Sequence, residues 1–190
     1  MVNFINYMAV LMLLFFVITI TTILLTIPLS RLLLRVTYTP PLPEVESLIN
    51  LPSEKQSGME FLASLVIFNA LIFAIGVVVL MTQNILPFNP AGVAGLNLDL
   101  AVNLSMSFIT GTDWQTYAGE TALSYFSQTF LSFSSLIASA SGIAAAMLVM
   151  HGISTHDTTD SGKIFLNYWQ SIFRISTYFF IPLCALFSLI

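Results

Sequence analysis

Long uncharged stretches dominate the chain and are separated by short polar segments. The stretches without Asp, Glu, Lys or Arg are 1–30, 61–98, 121–156 and 175–190. A helix needs about 20 mostly apolar residues to cross the hydrocarbon of a bilayer. The pattern therefore predicts complete membrane spans at 7–28, 61–81 and 121–150. The last stretch has only 16 residues and predicts a span that begins but is not completed.

The composition narrows the class of protein further. Of the 190 residues, 57% are apolar and only 7% are charged, whereas a soluble domain carries about 25% charged residues. A net charge of −4 gives no basic surface for nucleic acid. The single cysteine, Cys184, excludes an internal disulfide. These values indicate an integral membrane protein.

The basic residues predict an orientation. Arg31, Arg35 and Lys55 lie between the first two predicted spans, and Lys163 and Arg174 lie between the third and fourth. Cytoplasmic loops are enriched in Lys and Arg, so we expect cytoplasmic loops at 31–60 and 151–174. The N-terminus and the segment 82–120, which has acids but no Lys or Arg, are then outside. Residues 1–30 lack a basic n-region and are expected to remain as a transmembrane helix.

The segment 82–120 is too apolar for an ordinary external loop, above all at 98–109. Asn97 is a suitable N-cap, and the twelve residues 98–109 would form a helix only about 18 Å long. Such a helix is too short to span, but it can enter the membrane and return. Two interpretations stay open from this pattern: a re-entrant pore loop at 98–115, or an amphipathic helix lying at the outer interface.

The polar strip after this short helix is suited to binding a cation. It reads Thr110-Gly111-Thr112-Asp113, followed by Trp114 and Gln115. Backbone carbonyls can replace the hydration shell of a cation, and the negative end of the helix dipole would favour positive charge there. The segment 61–150 then predicts two spanning helices with a pore loop between them.

The run SFITGTDWQTYAGET at 107–121 resembles a known signature. It is similar to the first pore loop of the potassium-binding subunits of the bacterial Kdp potassium-transporting P-type ATPases, which read SF-V-TNTNWQSY-GE. LPFNP at 86–90 and LDLA at 98–101 resemble the LP-NP and WDLA-N strips of the same family. The resemblance covers most of residues 24–185.

The resemblance implies a fold and a function. The fold is all-α: one extra N-terminal helix, one helix–pore loop–helix repeat of potassium-channel type, and the start of a further helix. The function is K⁺ binding and translocation across the bacterial cytoplasmic membrane. The partners implied are a P-type ATPase subunit that hydrolyses ATP and small accessory membrane subunits. Thr110, Gly111, Thr112 and Asp113 would form the first quarter of a four-repeat filter, with Gln115 on the ion path.

The chain departs from the family pattern in three ways. Gly111 and Asp113 stand where the family favours Asn, and only one pore loop is present. A fragment is expected, because one loop cannot close a filter that needs four. The alternatives are a subunit of a passive homo-oligomeric cation channel and an inactive remnant. The sequence has no nucleotide-binding or phosphorylation motif, so we expect no ATP hydrolysis and no organic cofactor.

Two features predict contacts between helices. Asn69 lies in the middle of the second span and is expected to hydrogen-bond a neighbouring helix. Ser134, Ala138, Gly142 and Ala146 recur every four residues in the third span. This spacing predicts a face of close helix packing that is buried against the pore loop or a neighbouring repeat.

Overall fold

A computed structural model describes residues 2–39, 42–52, 54–114, 118–154 and 167–189. These residues form helices and no strand, as expected for an all-α integral membrane protein. The helices that are long and apolar enough to cross a membrane are Val10–Tyr38, Gly58–Met81, Tyr125–Ile153 and Tyr168–Phe187. The chain divides into two compact units, 1–41 and 42–190.

The first unit is a single long helix, α1 (Val2–Tyr38). It continues past residue 30, where the sequence predicted a loop, and carries Arg31 and Arg35 in its final turns. Basic side chains are favourable at the negative end of a helix dipole, which explains why these charges do not end the helix. The hydroxyls of Thr19 and Thr22 each donate to a carbonyl one turn earlier, so their polar groups are satisfied within the apolar helix.

The second unit contains the remaining helices. They are α2 (Pro43–Ile49), α3 (Gly58–Met81), α4 (Leu98–Ile109), α5 (Gly119–Ala122), α6 (Tyr125–Ser154), α7 (Tyr168–Arg174), a π-helical segment (Ile175–Phe180) and α8 (Ile181–Phe187). Helix α3 begins with a capping box, in which the side chains of Ser57 and Glu60 each bond the backbone N–H of the other. Helices α3, α4 and α6 pack against one another in pairs.

The short helix α4 is held against α3 by a close backbone approach. A Cβ placed on Gly76 would overlap Ser105 Oγ, so glycine at this position allows the Ser105 side chain of α4 to lie this near to α3. Ser105 Oγ donates to the carbonyl of Phe73 at 2.9 Å. Buried apolar side chains complete the contact among α3, α4 and α6. This cluster consists of Leu80, Ala101, Leu104, Leu123 and Leu131.

The small-residue stripe of α6 is only partly buried among the described residues, so its packing against a neighbouring repeat stays a prediction. Ser134 is buried, but Gly142 and Ala146 are exposed. A strict four-residue repeat advances by about 40° around a helix at each step, so the later members rotate away from the contact. The buried face instead continues through Ile137 and Ala144. The predicted contact of Asn69 is present, since its Nδ2 donates to Ser141 Oγ of α6 at 3.3 Å.

The last helix begins earlier than expected. The sequence placed its start at residue 175, after the charge of Arg174, whereas the structure begins the helix at Tyr168, where the Asn167 side chain caps it. Arg174 lies inside this helix because its guanidinium pairs with the carboxylate of Glu46 in α2. Its Nε and Nη2 bond the two carboxylate oxygens at 2.8 and 2.7 Å. The helix passes through its π-helical segment just before Pro182, a residue that cannot donate a normal helical hydrogen bond.

Candidate functional site

Helix α4 brings the polar strip to its C-terminal end. The side chain of Asn97 caps the N-terminus of α4 by accepting from the N–H of Leu100 at 3.1 Å. Asp99 lies in the first turn, where negative charge is favourable. The helix has the twelve residues Leu98–Ile109 and is therefore about 18 Å long. Its negative end is directed toward the strip that follows.

The strip Thr110–Trp114 folds back onto the last turn of α4 through one carbonyl group. The carbonyl oxygen of Ser107 accepts from the N–H of Thr112 at 3.0 Å and from the N–H of Asp113 at 3.3 Å. The Thr112 hydroxyl donates to the same oxygen at 3.2 Å. The Ser107 carbonyl oxygen is therefore the shared acceptor for several hydrogen-bond donors of the strip.

The Ser107 side chain fixes the far end of the strip. Its Oγ accepts from the N–H of Trp114 and lies 3.2 Å from Thr112 Oγ1. Ser107 is 6% exposed, so a buried side chain holds strip residues that are themselves exposed. The sequence analysis missed this residue as a part of the site. A serine in the last turn of a helix, just before a Gly-containing strip, is the signal that could have identified it.

The carbonyls of the strip are left available. The carbonyl oxygens of Thr110, Gly111, Thr112 and Asp113 accept no hydrogen bond from any residue that the structure describes. All four residues are exposed. Oxygen atoms of this kind can coordinate a cation. The structure thus brings together four of the five predicted site residues, and Gln115 lies outside the described residues.

The two residues of the strip that differ from the family pattern, Gly111 and Asp113, are the two with a left-handed backbone conformation. Gly111 has φ of +68° and Asp113 has φ of +48°. Glycine adopts this region freely, and Asn and Asp are the other residues that visit it most often. Gly in place of Asn and Asp in place of Asn therefore both preserve the backbone conformation of the strip.

A buried glutamine joins the two ends of the segment that carries α4 and the strip. The Nε2 of Gln83 donates to the carbonyls of Ala94 at 2.7 Å and Ala122 at 3.0 Å. Its Oε1 accepts from the N–H of Ser124 at 3.0 Å. This residue is completely buried and was not identified from the sequence. Glutamine has no distinctive local signal, because its partners lie 11 to 41 positions away.

Neutral oxygen atoms dominate the chemistry of the site. Within the described part of the chain, no group of three or more His, Cys, Asp or Glu side chains could hold a metal ion. Segment 82–120 contains three acids and no Lys or Arg. A weakly held cation coordinated by backbone carbonyls fits this donor set better than a tightly bound transition metal.

The described residues define a multi-pass, all-helical membrane protein that carries a candidate cation site at the end of α4. A family model described as "Potassium-transporting ATPase A subunit" matches residues 7–190. The chain therefore belongs to the KdpA family of potassium-transporting ATPase A subunits.

Several curated relatives are named "Potassium-transporting ATPase potassium-binding subunit". The protein of Listeria monocytogenes serovar 1/2a is 38% identical over 135 residues, which are 70% of this chain and 23% of the relative. The protein of Nitratidesulfovibrio vulgaris strain DP4 is 36% identical over 140 residues, covering 73% and 24%. That of Erwinia tasmaniensis is 41% identical over 130 residues, covering 68% and 22%. The chain matches only about a quarter of the length of these relatives.

Proposed function

We propose that this chain binds K⁺ and forms part of the translocation path of an ATP-driven potassium importer. The strip Thr110–Asp113 would coordinate the ion, mainly through backbone carbonyls, and Gln115 would line the path. The observation that carries the proposal is the row of four carbonyls at the negative end of α4 that accept no hydrogen bond from the described residues.

The proposal assigns the energy source to other subunits. A P-type ATPase subunit would hydrolyse ATP, and small accessory membrane subunits would complete the complex. The names of the relatives support this assembly, because each is a subunit of a potassium-transporting ATPase. In this complex the chain lies in the bacterial cytoplasmic membrane with α4 and its strip entering from outside. The basic residues on the opposite side support that orientation.

The first test is equilibrium binding of ⁸⁶Rb⁺, a K⁺ substitute, to the chain co-expressed with its ATPase and accessory subunits and with the segments that carry the further pore loops of the filter. We expect saturable binding that K⁺ displaces and Na⁺ displaces poorly. Reconstituted into liposomes, the same complex should take up ⁸⁶Rb⁺ only when ATP is supplied. Flux without ATP would indicate a passive channel, and absence of binding would indicate that this chain holds no ion; either result overturns the proposal.

A pair of glycine variants ties the binding to the strip. Gly111 and Gly92 both have positive φ, +68° and +60°, and a Cβ on either would meet nothing within 4 Å. Gly111→Ala and Gly92→Ala therefore impose a similar backbone cost of about 1–2 kcal/mol. We expect Gly111→Ala to weaken ⁸⁶Rb⁺ binding strongly and Gly92→Ala to leave it near the wild-type value. Equal effects of the two variants would mean that the strip is not the ion site.

A further inference from the structure

We propose that Gln83 is a positioning residue that sets the ion affinity and selectivity of the strip from outside the strip itself. This inference rests on the proposed function, because it concerns the same site. Gln83 lies just after α3 and makes no hydrogen bond to Thr110 or to any other predicted ion ligand that the structure describes. Its three hydrogen bonds instead reach the two backbone segments that flank α4 and the strip.

The first flanking segment leads into α4. Gln83 Nε2 bonds the carbonyl of Ala94, three residues before the Asn97 cap. The same segment is pressed against the end of α3, since Leu96 N–H donates to the Leu80 carbonyl at 3.0 Å. A Cβ on Gly95 would overlap the carbonyl oxygen of Met81. The start of α4 therefore cannot shift without breaking the bond to Gln83.

The second flanking segment leads out of the strip. Gln83 bonds the carbonyl of Ala122, at the end of α5, and the N–H of Ser124, just before α6. One side chain thus fixes the distance between residue 94 and residues 122–124. The intervening chain contains the whole of α4 and the strip, so this distance limits how far the strip carbonyls can move.

The chemistry specifies glutamine at this position. Two donor contacts and one acceptor contact are made at once, and among side chains only a carboxamide has two N–H donors and an acceptor oxygen in one planar group. Glutamate would place an oxygen opposite the carbonyls of Ala94 and Ala122, and asparagine would be one methylene too short. The backbone of Gln83 is also held in place, because Asn89 Nδ2 donates to the main-chain carbonyl of Gln83 at 3.2 Å. Asn89 in turn pairs with the backbone of Val93 in both directions, at 2.8 and 2.9 Å.

A matched variant separates positioning from general stability. Gln56 lies just before the other end of α3 and also joins distant segments, because its Oε1 accepts from the N–H of Tyr168 and its Nε2 donates to Ser64 Oγ. Gln83→Leu and Gln56→Leu make the same chemical change and remove a comparable number of bonds. Only the first lies beside the segment that holds the strip.

The test measures ⁸⁶Rb⁺ affinity and Na⁺ competition for both variants in the assembled complex. We expect Gln83→Leu to weaken ⁸⁶Rb⁺ binding by about tenfold and to let Na⁺ compete better. The substitution removes the hydrogen bonds that hold residue 94 and residues 122–124 in place and leaves their buried carbonyl and N–H groups without partners. Gln83→Glu should be at least as impaired, and Gln56→Leu should bind as the wild type does. Wild-type affinity and selectivity in a folded Gln83→Leu complex would overturn the inference.

Hydrogen exchange supplies a readout that does not depend on ion binding. In Gln83→Leu the amides of Thr112, Asp113 and Ser124 should exchange faster, whereas in Gln56→Leu they should not. Unchanged exchange in Gln83→Leu overturns the positioning role, even if the variant fails to bind. Conversely, a wild-type complex that binds no ⁸⁶Rb⁺ overturns the proposed function. The exchange result then still tests the positioning role of Gln83.

Discussion

Gly76 is the position where one added methyl group should most directly disturb the packing of α4 against α3. An alanine Cβ there would overlap Ser105 Oγ and come within 3.3 Å of Phe130 Cε1. Ser105 would have to give up its bond to the Phe73 carbonyl, which is worth about 1 kcal/mol. Forcing extra volume into a packed contact costs about 1–3 kcal/mol more. The helix itself gains about 1 kcal/mol when alanine replaces glycine.

The net expectation is that Gly76→Ala destabilises the protein by about 1–3 kcal/mol. For a chain of this size that lowers the melting temperature by about 2–4 °C for each kcal/mol. The measurement is thermal unfolding in detergent, followed by circular dichroism at 222 nm. Gly142→Ala is the control, because Gly142 is also helical but a Cβ there would meet nothing within 4 Å. It should be neutral or slightly stabilising.

A second substitution tests the cause. Ser105→Ala removes the overlapping atom at the cost of one hydrogen bond, about 1 kcal/mol. The double variant Gly76→Ala/Ser105→Ala should therefore recover most of the lost stability, giving a favourable coupling energy of about 2–4 kcal/mol. Wild-type stability of Gly76→Ala, or a double variant no more stable than the single one, would refute this account of the α3–α4 contact.

Three further variants test the strip and its surroundings. Ser107→Ala removes the acceptor of the Trp114 N–H and should weaken ⁸⁶Rb⁺ binding by about three- to tenfold. Ser132→Ala is the control and should leave binding unchanged, because Ser132 is exposed and its hydroxyl bonds only within its own helix. Asp113→Asn keeps a residue that tolerates positive φ and should preserve or improve discrimination of K⁺ from Na⁺; a loss of K⁺ uptake would contradict this. Glu46→Gln breaks the buried pair with Arg174 and should lower stability by about 3 kcal/mol in the same melting assay, whereas Glu44→Gln, at an exposed position, should not.

Local signals allowed parts of the fold to be predicted accurately. The Asn97 cap and the length of the apolar run predict a helix over 98–109, and the structure has α4 at Leu98–Ile109. Long uncharged stretches likewise predict helices wherever the structure has its candidate spans. These features depend on residues that are close together in the sequence, so a pattern along the chain contains them.

Contacts between distant residues account for what the sequence did not predict. Arg174 looks like a helix boundary until it is known that Glu46, 128 positions earlier, neutralises it. The position of the strip was predictable from its Thr and Gly residues. The means of holding it was not, because Ser107 and Gln83 are ordinary polar residues whose roles come from their burial and partners. The re-entrant depth of α4 and the orientation of the chain remain predictions.

The arrangement of hydrogen bonds in the strip favours a cation over an anion. An anion site needs N–H groups that are free to converge, but here the N–H groups of Thr112, Asp113 and Trp114 are all used by Ser107. With these donors occupied, the strip presents carbonyl oxygens that accept no hydrogen bond from the described residues.

One strip, however, offers these oxygens from a single exposed surface, whereas replacing a hydration shell requires oxygens around the ion. The proposed K⁺ site therefore requires further strips to complete it. The Gly111 and Gln83 variants are accordingly informative only in the assembled complex, where those other strips are present.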